Sequence, residues 1–457
     1  MKAICVLLPS YNIDTPPLAL QYLQAILTDI GIENICLDIN ILTHGISNKK
    51  LNWNQGLTHL WKDKNFIDNF MIENEKIIIE ELSKSIEVFN PDFLMISLYE
   101  TNSGIAERLI RYFESLSIKV YIGGPEVNIN PNSMNVFENK NNIVLVRGLG
   151  GFFNSIGLDV ERDRVSRYVN GDLIIKPKGF SEDSYKYQDR CYVRTSVGCP
   201  NNCTYCEEKI DFPVFKSFSI ESILKQIEHH LLYDRYKKIL LPDAASNGSM
   251  PFFINLAEEL KRNFKNVEWY PNCLIREEMN LDMFKFLKDR GCARVQFGLE
   301  TFSKEVLEYN GKTLSRNVNI ERMMEESHKA NMPCSYNIMF GLPGETKKNF
   351  DENMNGLIKM SKYMYRVSPS MNCCDFYERT YLKSYKKLNL YVPTKIINGV
   401  KTTDYSLWRD SESSPEKRYT RLLNYLTLIK SLNRPEAPKV NIDYVKKKII
   451  KLYSLNK

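Results

Sequence analysis

Short β-rich runs alternate with amphipathic helical stretches along most of this 457-residue chain, and the alternation runs through two separate series. Parallel strands need a long crossover, usually a helix, so a chain patterned this way is confined to βαβ units and parallel sheets. The first series has strands at 3–8, 35–38, 93–97, 120–122 and 143–146, with a helix at 18–30 behind Pro16-Pro17. The stretch 47–76 is polar with interleaved aromatics, fits no strand, and is read as an insertion without an assigned structure. The second series starts at 191–195 and continues at 238–241, 267–270, 294–297, 335–340 and 365–368, separated by helices at 220–233, 251–264, 281–290, 316–331 and 347–362. Six βα units predict an incomplete barrel, with its chemistry on the loops at the carboxyl ends of the strands. From about 386 the pattern turns helical, notably over 414–432, and carries no chemical motif.

The fold class expected is therefore α/β: a Rossmann-like domain over 1–155, a linker over 156–188, a partial barrel over 189–385 and a helical segment over 386–457. Hydrophobic residues at 43% and charged residues at 26% are ordinary for a globular chain, which argues against disorder. A net charge of +7 with no basic stripe disfavours nucleic acid as a partner. No run of about 18 apolar residues is present, so no transmembrane segment is expected. The N-terminus also lacks an apolar signal region. Eleven cysteines, mostly scattered, imply reduced thiols and a cytoplasmic location. The basic amphipathic stretch 443–453 is read as a solvated closing helix in preference to a membrane-surface one.

The chemistry concentrates in Cys199-Pro-Asn-Asn-Cys203-Thr-Tyr-Cys206, a C-x3-C-x2-C triplet with no fourth cysteine nearby in sequence. Thiolates are soft donors suited to iron-sulfur clusters or zinc, and a 4Fe-4S cube held by three of them leaves one iron for a ligand from substrate or cofactor. The competing reading is a structural zinc knuckle, but such sites are normally closed by four ligands, and His229 and His230 lie too far downstream. Three later strands end in Leu240-Leu-Pro-Asp-Ala-Ala-Ser-Asn247, Phe297-Gly-Leu-Glu-Thr301 and Asn337-Ile-Met-Phe-Gly-Leu-Pro-Gly-Glu-Thr346. Taken together, the triplet and these strand ends resemble the radical S-adenosylmethionine (SAM) superfamily. The resemblance implies cluster ligation by Cys199, Cys203 and Cys206, receipt of the SAM amino group near Asp243, a SAM or cluster contact at Glu300, and adenine packing near Gly341.

The first domain resembles the cobalamin-binding domain of the cobalamin-dependent subfamily, through Leu8-Pro-Ser10, Pro16-Pro-Leu-Ala-Leu-Gln-Tyr-Leu23, Asp38, Ser97-Leu-Tyr-Glu-Thr-Asn102 and Ile122-Gly-Gly-Pro-Glu126. The two resemblances cover about 1–380. They imply that Ser10, Ser97, Tyr99, Thr101 and Asn102 face the corrin, and that Gly123, Gly124 and Pro125 border its nucleotide tail. Two departures stand out. No D-x-H-x-x-G occurs, so no histidine is placed as a lower ligand, and the family's acidic turn after the last strand is here Gly148-Leu-Gly-Gly151. A flavodoxin-like scaffold without cofactor is the alternative for this domain.

The implied cofactors are a 4Fe-4S cluster, SAM and cobalamin, and the leading reaction is methyl transfer to an unactivated carbon. In that scheme one SAM methylates cobalamin and a second is cleaved to a 5′-deoxyadenosyl radical. Cyclisation, rearrangement or oxidation with the same cofactors is the alternative. Expected partners are a small-molecule or peptide substrate and an electron donor such as flavodoxin or ferredoxin. His44, His59 and His328 are read as structural or surface residues, Cys373 and Cys374 as packing or rim thiols, and Trp408 as part of the wall of the substrate pocket.

Overall fold

The structure is a computed structural model that describes residues 1–158, 184–187, 189–231, 237–315, 317–370, 376–397, 400–431 and 442–454. It resolves into two units, 1–192 with 221–237, and 193–220 with 238–457. Most of the expected linker 156–188, together with Cys373 and Cys374, lies outside the described residues.

In the first unit, β1 (Lys2–Leu7), β2 (Glu33–Asp38), β3 (Phe93–Ser97), β4 (Lys119–Gly123) and β5 (Ile143–Leu145) form one parallel sheet in the order β2-β1-β3-β4-β5. Strand β1 is apolar throughout because both of its faces are covered: Ile4 and Val6 join one core cluster, and Ala3, Cys5 and Leu7 join the other. The strand order reverses between β1 and β3, the position where open α/β sheets bind ligands beyond their strand ends.

The insertion 47–76 has definite structure: 3-10 turns at Lys50–Trp53 and Gln55–Lys62, then a helix at Lys64–Phe89. Its aromatics are core. Trp61 lies 5.0 Å from Trp53 and 4.9 Å from Phe70, ring to ring, and all three are buried. The polar residues between them face outward, which hid the helical period. The helix starts where the Asp63 carboxylate accepts the Phe66 N–H.

Strand β6 (Arg190–Tyr192) ends the first unit's continuous run. The second unit begins with a short antiparallel pair, β7 (Ser196–Val197) with β8 (Lys216–Ser217), which closes the base of the cysteine loop. Then β9 (Lys238–Leu241), β10 (Glu268–Cys273), β11 (Val295–Glu300), β12 (Cys334–Ile338) and β13 (Arg366–Pro369) pair in parallel, each beside its predecessor. Helices Met250–Asn263, Leu281–Asp289, Ile320–Lys329 and Lys347–Met360 fill the crossovers. The helix expected from 316 starts at Ile320, where the Asn319 side chain caps the Arg322 N–H. Thr346 caps the helix Lys347–Met360 in a reciprocal capping box with Asn349.

The C-terminal segment forms the helices Pro415–Ser431 and Ile442–Ser454. Trp408 is completely buried among Phe376, Leu342 and Tyr381, so it is a core residue and not a pocket wall. Among the described residues, no helix is long and apolar enough to cross a membrane.

Candidate active site

Cys199, Cys203 and Cys206 lie on the loop that leaves β7, each partly exposed. Gly198 opens this loop at φ +72°, and a Cβ there would fall 2.5 Å from the Val214 carbonyl oxygen, so only glycine fits. Its N–H donates to Glu208, and Lys209 donates to the Cys199 carbonyl. The loop is docked on the segment 310–314. The Thr204 N–H and hydroxyl donate to the carbonyl and side-chain oxygens of Asn310, both at 3.0 Å, and the Asn202 N–H donates to the Gly311 carbonyl. Burial pushes all three thiols up, Cys203 and Cys206 to about 11. A metal binding them must therefore displace protons.

Lys312, to which no motif in the sequence assigns a role, brings a cation to this loop. It is almost fully buried, and its ammonium donates to the Gly298 carbonyl at 2.7 Å and to Glu300 at 2.8 Å. Burial opposes its charge, but Glu300, Cys203 and Cys199 outweigh burial and hold its pKa above the usual lysine value. Glu300 ends β11 at φ +65°, beside a register shift in the β11–β12 ladder. The resulting ion pair puts a fixed cation in the electrostatic field of the thiols. The signal in the sequence was Asn310-Gly-Lys312 trailing a strand end, which specifies no partner.

Asp243 is hydrogen-bonded within the second unit. Its carboxylate accepts the Thr195 N–H at 2.8 Å, the Ser196 N–H at 3.1 Å, the Ser246 hydroxyl at 3.0 Å and the Thr195 hydroxyl. A carboxylate offers about four acceptor sites. With these filled and the residue 1% exposed, Asp243 braces the strand that leads into the cysteine loop. Gly341 has φ +73°, and the space beside it is filled by the Arg418 stem, whose Cγ lies 2.1 Å from where a Cβ would sit.

In the first unit, the structure brings together the loops after β1 and β3. Thr101 donates to the Ser10 carbonyl at 2.7 Å, and the Tyr11 and Tyr99 rings lie 4.7 Å apart. Ser10 and Ser97 are buried. Asn102 is fully buried and spends its side chain on Leu8, Ser97 and Tyr99, so it pins the loop. Gly124, at φ +107°, is glycine because a Cβ would meet the Leu98 oxygen at 2.5 Å and the Leu98 nitrogen at 2.7 Å. It lets the backbone pass close to Leu98. Gly123 makes only ordinary contact, 3.5 Å to the Val146 oxygen, and Pro125 is exposed at the first turn of Pro125–Ile129. Asp38, with its pKa lifted by burial to about 6, caps the helix Ile39–Ile46 and accepts the Tyr185 hydroxyl at 2.6 Å. No local pattern could reveal that pair across 147 residues.

The donor set suits the cluster that the sequence implies. Three thiols on one loop beside a buried cation are the soft donor set of a cluster with one open iron, and among the described residues they are not already gathered at metal-holding spacing. After β5, Gly148, Gly150 and Gly151 are exposed, and a Cβ added to any of them meets nothing within 4 Å.

Residues 193–356 match the model of the Radical SAM superfamily. An uncharacterized methyltransferase of Pyrococcus horikoshii is 23% identical over 319 residues, covering 63% of this chain and 68% of that protein. The ribosomal protein uS12 methylthiotransferase RimO of Clostridium novyi is 30% identical over 177 residues, which is 35% of this chain and 38% of that protein. Two solved structures share the fold. The radical SAM methyltransferase TsrM from Kitasatospora setae, bound to cobalamin and a 4Fe-4S cluster, has a TM-score of 0.60 at 16% identity, covering 81% of this chain and 74% of that one. The cobalamin-dependent SAM radical enzyme OxsB, bound to aqua-cobalamin, has a TM-score of 0.58 at 14% identity, covering 100% of this chain and 71% of that one.

Proposed function

We propose that this chain, whose residues 193–356 match the Radical SAM superfamily model, is a cobalamin-dependent radical SAM methyltransferase that methylates an unactivated carbon. The observation that carries the reading is the three-thiol loop docked on 310–314, with the Lys312–Glu300 pair beside it. When bound, the cluster and SAM supply a 5′-deoxyadenosyl radical and the corrin supplies a methyl group. Cys199, Cys203 and Cys206 bind the cluster. Lys312 offsets the negative charge of the thiolates and orients the Glu300 carboxylate. Asp243 fixes the strand that carries the cysteine loop. In the first unit, the loops carrying Ser10, Tyr99 and Thr101 would frame the corrin. The functional division follows 1–155, 156–188, 189–385 and 386–457. The substrate is a small molecule or peptide, electrons come from a flavodoxin- or ferredoxin-type donor, and the protein works in the cytoplasm.

The test is anaerobic purification with cobalamin supplied, followed by quantification of iron, sulfide and cobalt. One cluster and one cobalamin per chain is the expected result. A cluster without cobalt would refute the methyl-transfer reading, and neither would refute the whole. With substrate, S-adenosylhomocysteine and 5′-deoxyadenosine are expected together; 5′-deoxyadenosine alone would favour cyclisation, rearrangement or oxidation. Cys203→Ala is expected to abolish 5′-deoxyadenosine formation.

A further inference from the structure

The turn 341–345, which leads from β12 into the helix Lys347–Met360, is gripped from two directions within the second unit. On one side, the Asn310 amide donates to the Pro343 carbonyl at 2.9 Å, and the Tyr309 ring lies 2.9 Å from where a Gly344 Cβ would sit. Those contacts belong to the segment that docks the cysteine loop. On the other side stands the C-terminal segment, about 70 residues further along the chain, which the sequence reading left without chemistry. Asp410 accepts the Gly344 N–H at 2.8 Å, while its other oxygen accepts the N–H groups of Glu412 and Ser413. Arg421 pairs with the Glu345 carboxylate at 3.0 Å and donates to the Glu345 carbonyl at 3.1 Å. The same Glu345 carboxylate accepts the Gly341 N–H, so Arg421 holds the group that closes the turn. Glu345 is 1% exposed and Arg421 is 9% exposed, which places the pair where a charge interaction is little screened.

We infer that Asp410 and Arg421 are positioning residues for SAM: they set the geometry of the turn 341–345 and through it the affinity for the nucleoside. This rests on the proposed function and on the adenine packing near Gly341 that the radical SAM resemblance implies. Two backbone groups and one carboxylate are fixed by side chains from outside the barrel. A turn near a ligand delivers its full binding energy only when it is already in shape, since ordering it on binding subtracts from affinity. The C-terminal segment therefore acts as part of the cofactor site without touching cofactor.

The experiment uses the full-length chain, reconstituted with iron and sulfide, as wild type, Asp410→Asn, Arg421→Met and Arg421→Lys. Two quantities are read: hydrogen–deuterium exchange of the peptide spanning 339–346 without SAM, and SAM affinity by equilibrium dialysis. Both Asp410→Asn and Arg421→Met are expected to speed exchange in that peptide and raise the SAM Kd at least tenfold. Arg421→Lys should recover part of each. Iron content should stay at the wild-type level, because the Asn310 contacts remain. Faster exchange with an unchanged Kd would overturn the link to SAM, and unchanged exchange would overturn the positioning role. If wild type itself bound no SAM while the variants still loosened the turn, the failure would lie in the proposed use of the turn and the inference would fall with it.

Discussion

Asp243→Ala separates a bracing role from a ligand-binding one. The change removes the acceptor for the buried N–H groups of Thr195 and Ser196, at 2.8 and 3.1 Å, and for two hydroxyls that can rotate to other partners. Each orphaned buried N–H costs about 1–3 kcal/mol, so the two together cost ~4 kcal/mol. For a folding unit of 150–250 residues, each kcal/mol lowers Tm by about 2–4 °C, which puts the expected drop at ~8–16 °C. The assay is thermal melting of the apo protein, with hydrogen exchange in the peptide covering 193–197 to locate the loss. Asp243→Asn keeps one oxygen for both N–H groups and should lose less than half as much. If Asp243→Ala melted within about 2 °C of wild type and only SAM affinity fell, the bracing argument would be refuted and Asp243 would be a ligand residue.

Three further outcomes follow from the same geometry. Gly311→Ala forces a side chain onto φ +77° and places its Cβ 2.4 Å from the Asn202 carbonyl oxygen; the backbone conformation alone costs about 1–2 kcal/mol, and the shifted loop should lower reconstituted iron per chain well below wild type. Lys312→Met leaves Glu300 buried without its cation, a loss of about 3–5 kcal/mol for a broken buried pair. In the loaded protein it should also move the cluster midpoint potential downward, because a nearby cation favours the reduced state; an unchanged potential by EPR-monitored titration would show the lysine to be purely structural. Burial raises the Glu126 carboxyl from 4.5 to about 7, so its stabilising contribution is fully present below pH 4.5 and is lost as pH rises through 7. Urea stability of Glu126→Gln should therefore gain on wild type between pH 5 and pH 8, by at most ~3 kcal/mol, and parallel curves would contradict the assignment.

The parallel sheets were legible because doubly covered strands such as β1 read as unbroken apolar runs, and their crossovers carry the 3.6-residue period. The helix Lys64–Phe89 was not, since its buried face is aromatic and intermittent within a polar stretch. The cysteine loop was legible because its ligands are neighbours in sequence. The bonds that Asp243 and Asn102 make within the chain were not legible, because a polar residue at a strand end looks the same whether it meets a ligand or a backbone amide of its own chain.

By itself the sequence determined the local facts, namely which segments form the parallel strands and where the three thiols sit, because these depend on residues within a few positions of one another. Only the tertiary structure decided how buried charge is spent: Lys312 on Glu300, Tyr185 on Asp38, Arg421 on Glu345. A buried charge must find a partner wherever the folded chain supplies one, and separation along the sequence does not restrict that choice.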